Sequence, residues 1–532
     1  MSSRTLIASP LSLSPDLTAV VMSGSPDGNV WSLSRELEAI ELKHDAILRQ
    51  ARVLNDASAP LAFLQALYGA GCGIGHLAER ISFQDIVRLW ELLRLRRQTG
   101  RLLLSSTLTM SPIEADTVQV KLQNGTLVIC AQYGRSSDHS ARVFYVFPRL
   151  PSGDVDLDLY NMTPTFIRPA VQRFAFSGSE SLIATLENES SSYAIYLMYH
   201  AALPRSRLPI PAAWRVGQAD VRSDMCRLYL LYSLLALFLT NPARLIIWNW
   251  KTGVVLLVAQ DHELGHVIGF AFLTSQSFML VRNDGISVYC VPESPAPLSQ
   301  LECSWLGLPI LHESAEVCSV KLHTSEGDPG TRSEITLRER MCVLMVTVTN
   351  VETHETREIV IFAKSASILD ACRHMPQSRE RVWDDWGPQY CRALHLEGYL
   401  RLSVGGVRGL RAVLQQWLFP PGSTYDEAVD ARLIIFDFGD VQSLSGIEDI
   451  LPGTAGANRG AVRRASSLEL PGLFKNTVTM QVAFAYVITD PTRYYGIHTC
   501  PNEVLLDDRR LVKVFSTYDE MQQAVELEVF DA

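Results

Sequence analysis

The sequence lacks closely spaced cysteine pairs. Its cysteines are scattered singly, and no two have the C-x-x-C spacing of a zinc ribbon or a redox site. Disulfide frameworks are typical of short secreted chains, whereas this chain has 532 residues. No sustained apolar stretch precedes Pro10, so we expect no signal peptide and an intracellular protein, in the cytoplasm, the nucleus or both. The cysteines are Cys72, Cys130, Cys226, Cys290, Cys303, Cys318, Cys342, Cys372, Cys391 and Cys500.

The sequence also lacks a strong excess of one charge. The formal net charge of −10 is mild for this length, and nucleic-acid-binding proteins usually carry a clear basic excess. We therefore expect no nucleic-acid partner, although a local basic patch is compatible with this composition.

No apolar run is long enough to cross a membrane. The longest, Leu228–Leu239, has about a dozen residues, against the roughly 20 that a spanning helix needs. Arg227 and Asn241-Pro242 bound it. We interpret it as two buried strands joined by a tight turn and expect no membrane partner.

Motifs of nucleotide and hydrolase chemistry are missing too. There is no G-x-x-x-x-G-K-[ST] phosphate loop and no G-x-S-x-G nucleophile elbow. Gly405, Gly406 and Gly409 do not form a dinucleotide fingerprint. These absences predict a protein that is not an enzyme and has no cofactor.

One segment favours the opposite conclusion. His262-Glu263-Leu264-Gly265-His266 is an H-E-x-x-H motif, which on a helix binds zinc through both histidines and uses the glutamate as general base. The third histidine of the longer metzincin pattern is replaced by Phe272, and both flanks are strand-like. We therefore interpret Gly265-His266 as the entry to a β-propeller blade, and a zinc hydrolase using His262, Glu263 and His266 stays as the alternative.

The first hundred residues have helical periodicity. One helix is predicted over about 33–54, and another after Ser82, with Phe83, Ile86 and Trp90 on one face and Gly100 as its end. We assign residues 1–60 to a small helical module and 61–105 to a helical linker.

From residue 106 to residue 532 the sequence predicts mainly β structure. Val118, Val120 and Leu122 alternate with polar residues, and Asn124-Gly125 is the strongest short-range signal for a hairpin. A short helix is predicted near Ser367–Cys372. The predicted strands are Val118–Leu122, Leu127–Ile129, Val143–Phe147, Ala194–Tyr199, Leu245–Trp250, Ile286–Val291, Val343–Val348, Glu358–Phe362, Leu433–Phe438 and Leu527–Phe530.

Two of these strands repeat each other. Arg244–Trp250 and Arg432–Phe438 match in residue type at every position, and they begin 188 residues apart. That distance equals four units of about 47 residues, close to the length of a propeller blade. We count seven candidate third strands and predict a WD-like propeller of about seven blades, with a pair of β-sandwiches as the alternative.

Two short segments are weaker candidates for sites. Arg463-Arg464-Ala465-Ser466 matches the preference of basophilic kinases and makes Ser466 a candidate phosphorylation site, although such patterns occur often by chance. Trp383-Asp384-Asp385-Trp386 combines aromatic and acidic side chains that can hold a cation or a peptide, but a packed loop is the favoured interpretation.

The chain resembles fungal F-box proteins whose C-terminal part is a divergent WD-like propeller. The resemblance covers the chain from about Leu64 onward and includes the helix 83–104. It is carried by Leu245–Gly253, Val382–Pro388, Ile488–Pro491 and Leu505–Val512. At the N-terminus, Leu13-Ser14-Pro15-Asp16-Leu17 is similar to the opening of an F-box, with serine in place of the usual first proline.

This resemblance implies the substrate-receptor subunit of a cullin–RING ubiquitin ligase of the SCF type. The F-box-like module would dock the Skp adaptor, and the propeller would hold an unknown target protein. A propeller scaffold without ligase function is the alternative. The resemblance assigns adaptor binding to Leu13, Pro15, Asp16, Leu17, Val21, Met22, Val30 and Leu33.

Overall fold

The computed structural model describes residues 226–324, 340–373, 380–396, 401–418, 428–439 and 465–489 together with the other strands named below. Contacts divide the chain into residues 1–101 and 102–532, and all described residues belong to the second unit. The helices predicted over 33–54 and 82–100 therefore lie outside the described residues. So do the eight residues assigned to adaptor binding.

The described residues form 35 strands, and they are numbered in chain order. Strands before residue 226 are β1 (Leu103–Ile113), β2 (Thr117–Gln123), β3 (Thr126–Tyr133), β4 (Ala141–Phe147), β5 (Val155–Leu157), β6 (Phe166–Pro169), β7 (Val171–Ser177), β8 (Leu182–Glu189), β9 (Ser192–Tyr199) and β10 (Ser206–Leu208). The next are β11 (Cys226–Leu231), β12 (Leu234–Thr240), β13 (Ala243–Asn249), β14 (Val254–Ala259), β15 (Gly269–Thr274), β16 (Ser277–Val281), β17 (Gly285–Cys290), β18 (Ala296–Pro297), β19 (Cys303–Gly307) and β20 (Ala315–Thr324). The last are β21 (Met341–Asn350), β22 (Thr356–Lys364), β23 (Glu380–Arg381), β24 (Cys391–His395), β25 (Arg401–Arg408), β26 (Arg411–Leu418), β27 (Ala428–Asp437), β28 (Arg459–Val462), β29 (Ser466–Leu468), β30 (Val478–Met480), β31 (Phe484–Ile488), β32 (Thr492–Tyr495), β33 (Glu503–Leu506), β34 (Arg510–Asp519) and β35 (Gln522–Asp531).

These strands confirm the predicted β structure. Each of the ten predicted strands lies within a described strand or extends at most one residue beyond it, although several described strands are longer than predicted. The apolar run Leu228–Leu239 is the pair β11 and β12, which are antiparallel neighbours, as expected for two strands and a tight turn. The hairpin predicted at 124–125 is also confirmed, because Gln123 pairs with Thr126.

Seven sheets of four to six strands, besides a short pair β29–β30, account for the described strands. Sheet 1 has the order β2-β3-β4-β6, sheet 2 β7-β8-β9-β10, and sheet 3 β11-β12-β13-β14-β18. Sheet 4 is β15-β16-β17-β19-β23, and sheet 5 is β20-β21-β22-β24. Sheet 6 is β25-β26-β27-β31-β28, with β32 also on β27, and sheet 7 is β33-β34-β35-β1-β5.

The sheets close into a ring, which is the arrangement of a β-propeller. The first strands of the sheets contact one another in the cyclic order β2, β7, β11, β15, β20, β25, β33 and back to β2. A separate hydrophobic cluster lies between every two neighbouring sheets of this cycle. The described sheets thus agree with the prediction of a propeller of about seven blades and exclude a pair of sandwiches.

Sheet 7 combines both ends of the described chain. Its strand β1, from the beginning of the described chain, is antiparallel to β35 from the end, with Leu103 opposite Asp531 and Leu108 opposite Leu527. This pairing closes the ring, since no edge is left between the first and the last part of the chain. Strand β1 begins at Leu103, within the segment that was predicted as a helical linker.

The two matching segments are both third strands of their sheets, and each is buried on both faces. In β13, Leu245 and Ile247 pack against sheet 4, whereas Ile246 and Trp248 pack against sheet 2. In β27, Ile434 and Phe436 likewise face sheet 5 while Leu433 and Ile435 face sheet 7. Side chains alternate between the faces of a strand, so two buried faces require a continuous apolar run.

The repeat length inferred from these segments was wrong. They lie in sheets 3 and 6, so 188 residues cover three blades and not four units of about 47. The intervening sheets 4 and 5 contain longer connections, including two helices and residues 325–339.

Three α-helices are described: α1 (Asp261–Leu264), α2 (Ser365–Arg373) and α3 (Trp383–Tyr390). A 3-10 turn follows β18 at Leu298–Gln300. Helix α2 confirms the short helix predicted near Ser367–Cys372. Within the described parts of the chain, none of the helices has the length and apolar character needed to cross a membrane.

Candidate functional site

The first strands of the seven sheets surround a central cavity of about 410 Å³. Each of the strands β2, β7, β11, β15, β20, β25 and β33 contributes to its wall. Since each strand enters from a different sheet, residues far apart in sequence meet here. We call this cavity the central channel.

The first strands contribute both polar and apolar residues to the channel wall. In β2, Gln119 and Lys121 are half-buried whereas Val120 between them is buried. In β11, Arg227 is exposed and Tyr229 is half-buried, whereas Leu228 is buried. Residues of both kinds line the channel: Gln119, Lys121 and Arg227 as well as Val120 and Leu228.

The wall of the channel is basic. Its described residues include four lysine and arginine side chains, Lys121, Arg173, Arg227 and Arg408, and a single carboxylate, Glu503. This local excess contrasts with the net charge of −10 for the whole chain.

Three of the four cations come from consecutive sheets, and we call them the basic arc: Lys121 of sheet 1, Arg173 of sheet 2 and Arg227 of sheet 3. Arg173 Nε donates a hydrogen bond of 3.1 Å to the carbonyl oxygen of Cys226, next to Arg227. Lys121 Nζ lies 5.2 Å from the centre of the Phe174 ring, next to Arg173. These two contacts connect all three positions along the wall.

Two glycines shape the part of the channel where β25 and β33 approach closely. A Cβ atom on Gly405 would lie 2.8 Å from Val504 Cβ, and one on Gly406 would lie 2.8 Å from the backbone nitrogen of Leu506. A register shift between Val404 and Gly406 marks a bulge at the same point. The glycine pair therefore serves close strand packing, in agreement with the absence of a dinucleotide fingerprint.

The cysteine at the channel is not activated. Burial raises the pKa of the Cys226 thiol to about 12, and the neighbouring Arg173 only partly opposes this shift. A thiol with this pKa is protonated near neutral pH and is a poor nucleophile.

The H-E-x-x-H motif does not lie on one helix. Helix α1 ends at Leu264, and Gly265 follows it with a φ of 62°, so His262 is helical and His266 is not. The backbone N–H of Gln260 donates to Glu263 Oε2 at 3.1 Å, which forms a capping box. Both histidines are exposed.

Helix α1 connects sheet 3 to sheet 4, and its contacts are structural. Asp261 Oδ1 accepts a hydrogen bond from the backbone of Ala243 at 3.1 Å, and Arg282 Nη2 donates to the carbonyl of Leu264 at 3.1 Å. Gly265-His266 thus lies at the entry to sheet 4, as the sequence predicted. The described residues contain no group of three or more histidine, cysteine or acidic side chains placed to hold a metal ion.

The aromatic side chains of the Trp-Asp-Asp-Trp segment are buried. Trp383 is 2% exposed and Trp386 0% exposed in α3, and Trp386 Nε1 donates to the carbonyl of Gly307 at 2.9 Å. Asp384 and Asp385 are exposed in the first turn. The tryptophans are therefore part of the packing of α3 and do not form an open aromatic site.

Ser466, the candidate phosphorylation site, begins strand β29 and pairs with Met480. It is half-buried. The arginines at 463 and 464 lie outside the described residues. Ser466 is remote in sequence from all segments that form the channel wall.

The residues of the basic arc were missed in the sequence. In the sequence, Lys121 is only one of the polar positions of an alternating strand. Arg227 is only the boundary of an apolar run. The signal that identifies them is a polar position in the first strand of a blade, and it is useful only when the first strand of each blade is known.

No protein-family model matches this sequence, and neither does any curated protein. Among solved structures, the chain is similar to the core factor of S. cerevisiae, with 11% identity, a TM-score of 0.34, and coverage of 71% of this chain and 57% of that one. It is similar to an acylaminoacyl peptidase of Pyrococcus horikoshii, with 6% identity, a TM-score of 0.31, and coverage of 60% and 45%. Apo AztD from Citrobacter koseri has 9% identity, a TM-score of 0.27, and coverage of 78% and 84%. The chain thus spans about half the length of the first two, and likeness this low transfers no function.

Proposed function

We propose that the chain is a protein-binding platform, in which the propeller holds a target protein. The observation that carries this proposal is the closed ring of seven sheets, each packed on both faces against its neighbours. Such a ring is a rigid support, and binding residues are commonly placed on the connections of rigid scaffolds.

The finer proposal is a substrate receptor of an SCF-type cullin–RING ubiquitin ligase, working in the cytoplasm or the nucleus. Its support is the similarity of Leu13–Leu17 to the opening of an F-box and the propeller that follows. Val21, Met22, Val30 and Leu33 would complete an apolar surface that docks the Skp adaptor. Buried apolar anchors of this kind supply most of the affinity in stable interfaces.

The experiment is a pulldown of the full-length protein with purified Skp adaptor, beside a protein lacking residues 1–60. Leu17→Asp and Val21→Asp place a charge on the docking surface, and we expect each to weaken adaptor binding at least tenfold. Ala19→Asp is the matched control, because a helical residue two positions from Leu17 lies on the opposite face.

Two results would contradict the assignment of this surface. One is adaptor binding that is equally strong without residues 1–60, and the other is adaptor binding that all three substitutions weaken equally. If the full-length protein does not bind the adaptor at all, the ligase proposal fails. The propeller would then act as a scaffold without ligase function.

We further propose that the chain catalyses no reaction. The support is the H-E-x-x-H motif itself, in which Gly265 ends the helix before the second histidine and Glu263 caps the helix. Elemental analysis after dialysis against zinc checks this proposal. One zinc ion per chain, lost in both His262→Ala and His266→Ala, would restore the hydrolase alternative.

A further inference from the structure

We propose that the central channel binds a small multivalent anion that carries phosphate or carboxylate groups. The basic arc of Lys121, Arg173 and Arg227 supplies the principal contacts. This inference is independent of adaptor docking, because residues 13–33 take no part in it.

Charge is the first argument. The described wall contains four lysine and arginine side chains and one carboxylate, although the whole chain is acidic. A cavity lined by one sign of charge and enclosed by low-dielectric walls concentrates its potential and attracts ions of the opposite sign. The channel is therefore a local attractor for anions in a protein whose net charge repels them.

Position is the second argument. The arc residues lie on strands of the ring and not on loops, and neighbouring sheets fix them relative to one another. Arg173 is held by its 3.1 Å hydrogen bond to the carbonyl of Cys226, and Lys121 lies over the Phe174 ring. Side chains held in this way lose little entropy when a ligand binds, which favours affinity.

Size determines the class of ligand. The cavity of about 410 Å³ falls within the range of small-molecule sites, roughly 300–1,000 Å³. All seven first strands border it, and its volume is too small for a folded domain. A molecule with two or more anionic groups can contact more than one cation of the arc.

The chemistry of the cations determines which anions fit. Arginine presents a planar set of donors that matches carboxylate and phosphate oxygens in pairs, and lysine adds a compact charge. Arg227 is exposed at the wall, so its guanidinium is accessible to an anion in the channel.

The test is isothermal titration calorimetry of the full-length protein with three probes: sodium tripolyphosphate, citrate and inorganic phosphate. We expect saturable binding of one tripolyphosphate or citrate per chain, weaker binding of inorganic phosphate, and an affinity that falls as salt is raised. Tripolyphosphate and citrate separate the two anionic chemistries, since the preferred group gives the lower Kd.

Two variants locate the site. Arg227→Gln and Lys121→Gln each remove one cation of the arc, and each should raise the Kd about tenfold or more. Arg373→Gln is the matched control, because Arg373 is exposed on α2, ion-paired with Asp370 at 3.6 Å, and absent from the channel wall. Circular dichroism melting curves show that each variant is folded.

Three results would overturn the inference. The first is that none of the three probes binds saturably to the folded protein. The second is that Arg373→Gln weakens binding as much as the arc variants, which would mean general surface screening. The third is that a glutamate-rich decapeptide binds the channel while tripolyphosphate and citrate do not, which would assign the channel to a peptide.

Discussion

The two tryptophans of α3 permit a matched test of whether the Trp-Asp-Asp-Trp segment is structural. Trp383 and Trp386 are both buried, and their rings contact each other at 5.5 Å with an interplanar angle of 70°. Only Trp386 has a hydrogen bond from its indole N–H, to the carbonyl of Gly307. The N–H of Trp383 has no partner among the described residues. Tryptophan to phenylalanine removes the same atoms at both positions.

The expected magnitudes differ because the hydrogen bonding differs. At either position the smaller ring loses packing, which costs about 1 kcal/mol. At Trp386 the change also removes a buried hydrogen bond, for a further 1–3 kcal/mol or so. At Trp383 it removes a buried N–H that has no partner, which stabilises the fold by about 1–3 kcal/mol and offsets the lost packing. Trp386→Phe should therefore be less stable than Trp383→Phe by roughly 2–6 kcal/mol.

The assay is equilibrium unfolding in urea, followed by far-ultraviolet circular dichroism, with the midpoints compared at equal slope. We expect a clearly lower midpoint for Trp386→Phe and a midpoint near that of the unaltered protein for Trp383→Phe. Equal midpoints for the two variants would refute the reasoning from the hydrogen bond. If both variants kept full stability but lost binding of a ligand or a target, the segment would be a binding site.

Three further predictions follow from single contacts. Gly406→Ala should lower the free energy of unfolding by about 1–3 kcal/mol, because its new Cβ meets the backbone nitrogen of Leu506 at 2.8 Å. Gly439→Ala, which meets only the flexible side chain of Asp437, is its control in the same urea assay, and an equal loss in both would contradict the argument. Arg392→Met should raise the unfolding midpoint, because burial lowers the pKa of this guanidinium to about 10 and keeping its charge in the core destabilises the fold. A lower midpoint would mean that the contact of the guanidinium with the Phe484 ring contributes more stability than burial of the charge removes. Iodoacetamide near neutral pH should modify exposed Cys290 and leave buried Cys226, whose thiol has a pKa of about 12, unmodified; labelled Cys226 detected by mass spectrometry of the native protein would contradict this.

Much of the propeller was predictable because its signals are local. The alternation in β2 and the two-residue turn after it concern neighbouring residues, and so does the apolar run of β13. A third strand is buried on both faces, and this property makes Arg244–Trp250 and Arg432–Phe438 look alike. Similarity of this kind survives insertions, whereas spacing does not, which explains why the strands were found and the repeat length was wrong.

Ring closure could not be predicted in the same way. Strand β1 has the sequence Leu-Leu-Ser-Ser-Thr-Leu-Thr-Met-Ser-Pro-Ile, which directly follows a segment with helical periodicity. Its pairing with β35 joins the two ends of the described chain, and such a pairing leaves no mark in either segment alone. Only the requirement that a propeller leave no open edge indicates that some segment must fill this position.

The central channel shows why the candidate site was harder to predict than the fold. Each cation of the basic arc is the only lysine or arginine in its own strand, so none of these three strands looks basic. The overall composition also hides the site, because the chain carries a net charge of −10 while the described channel wall has four lysine and arginine residues and one glutamate. A ring of sheets converts one residue per blade into a cluster, because it brings every first strand to the same axis. A site of this kind is therefore read from a sequence by phasing the strands first and then comparing the polar positions of the first strand in each blade.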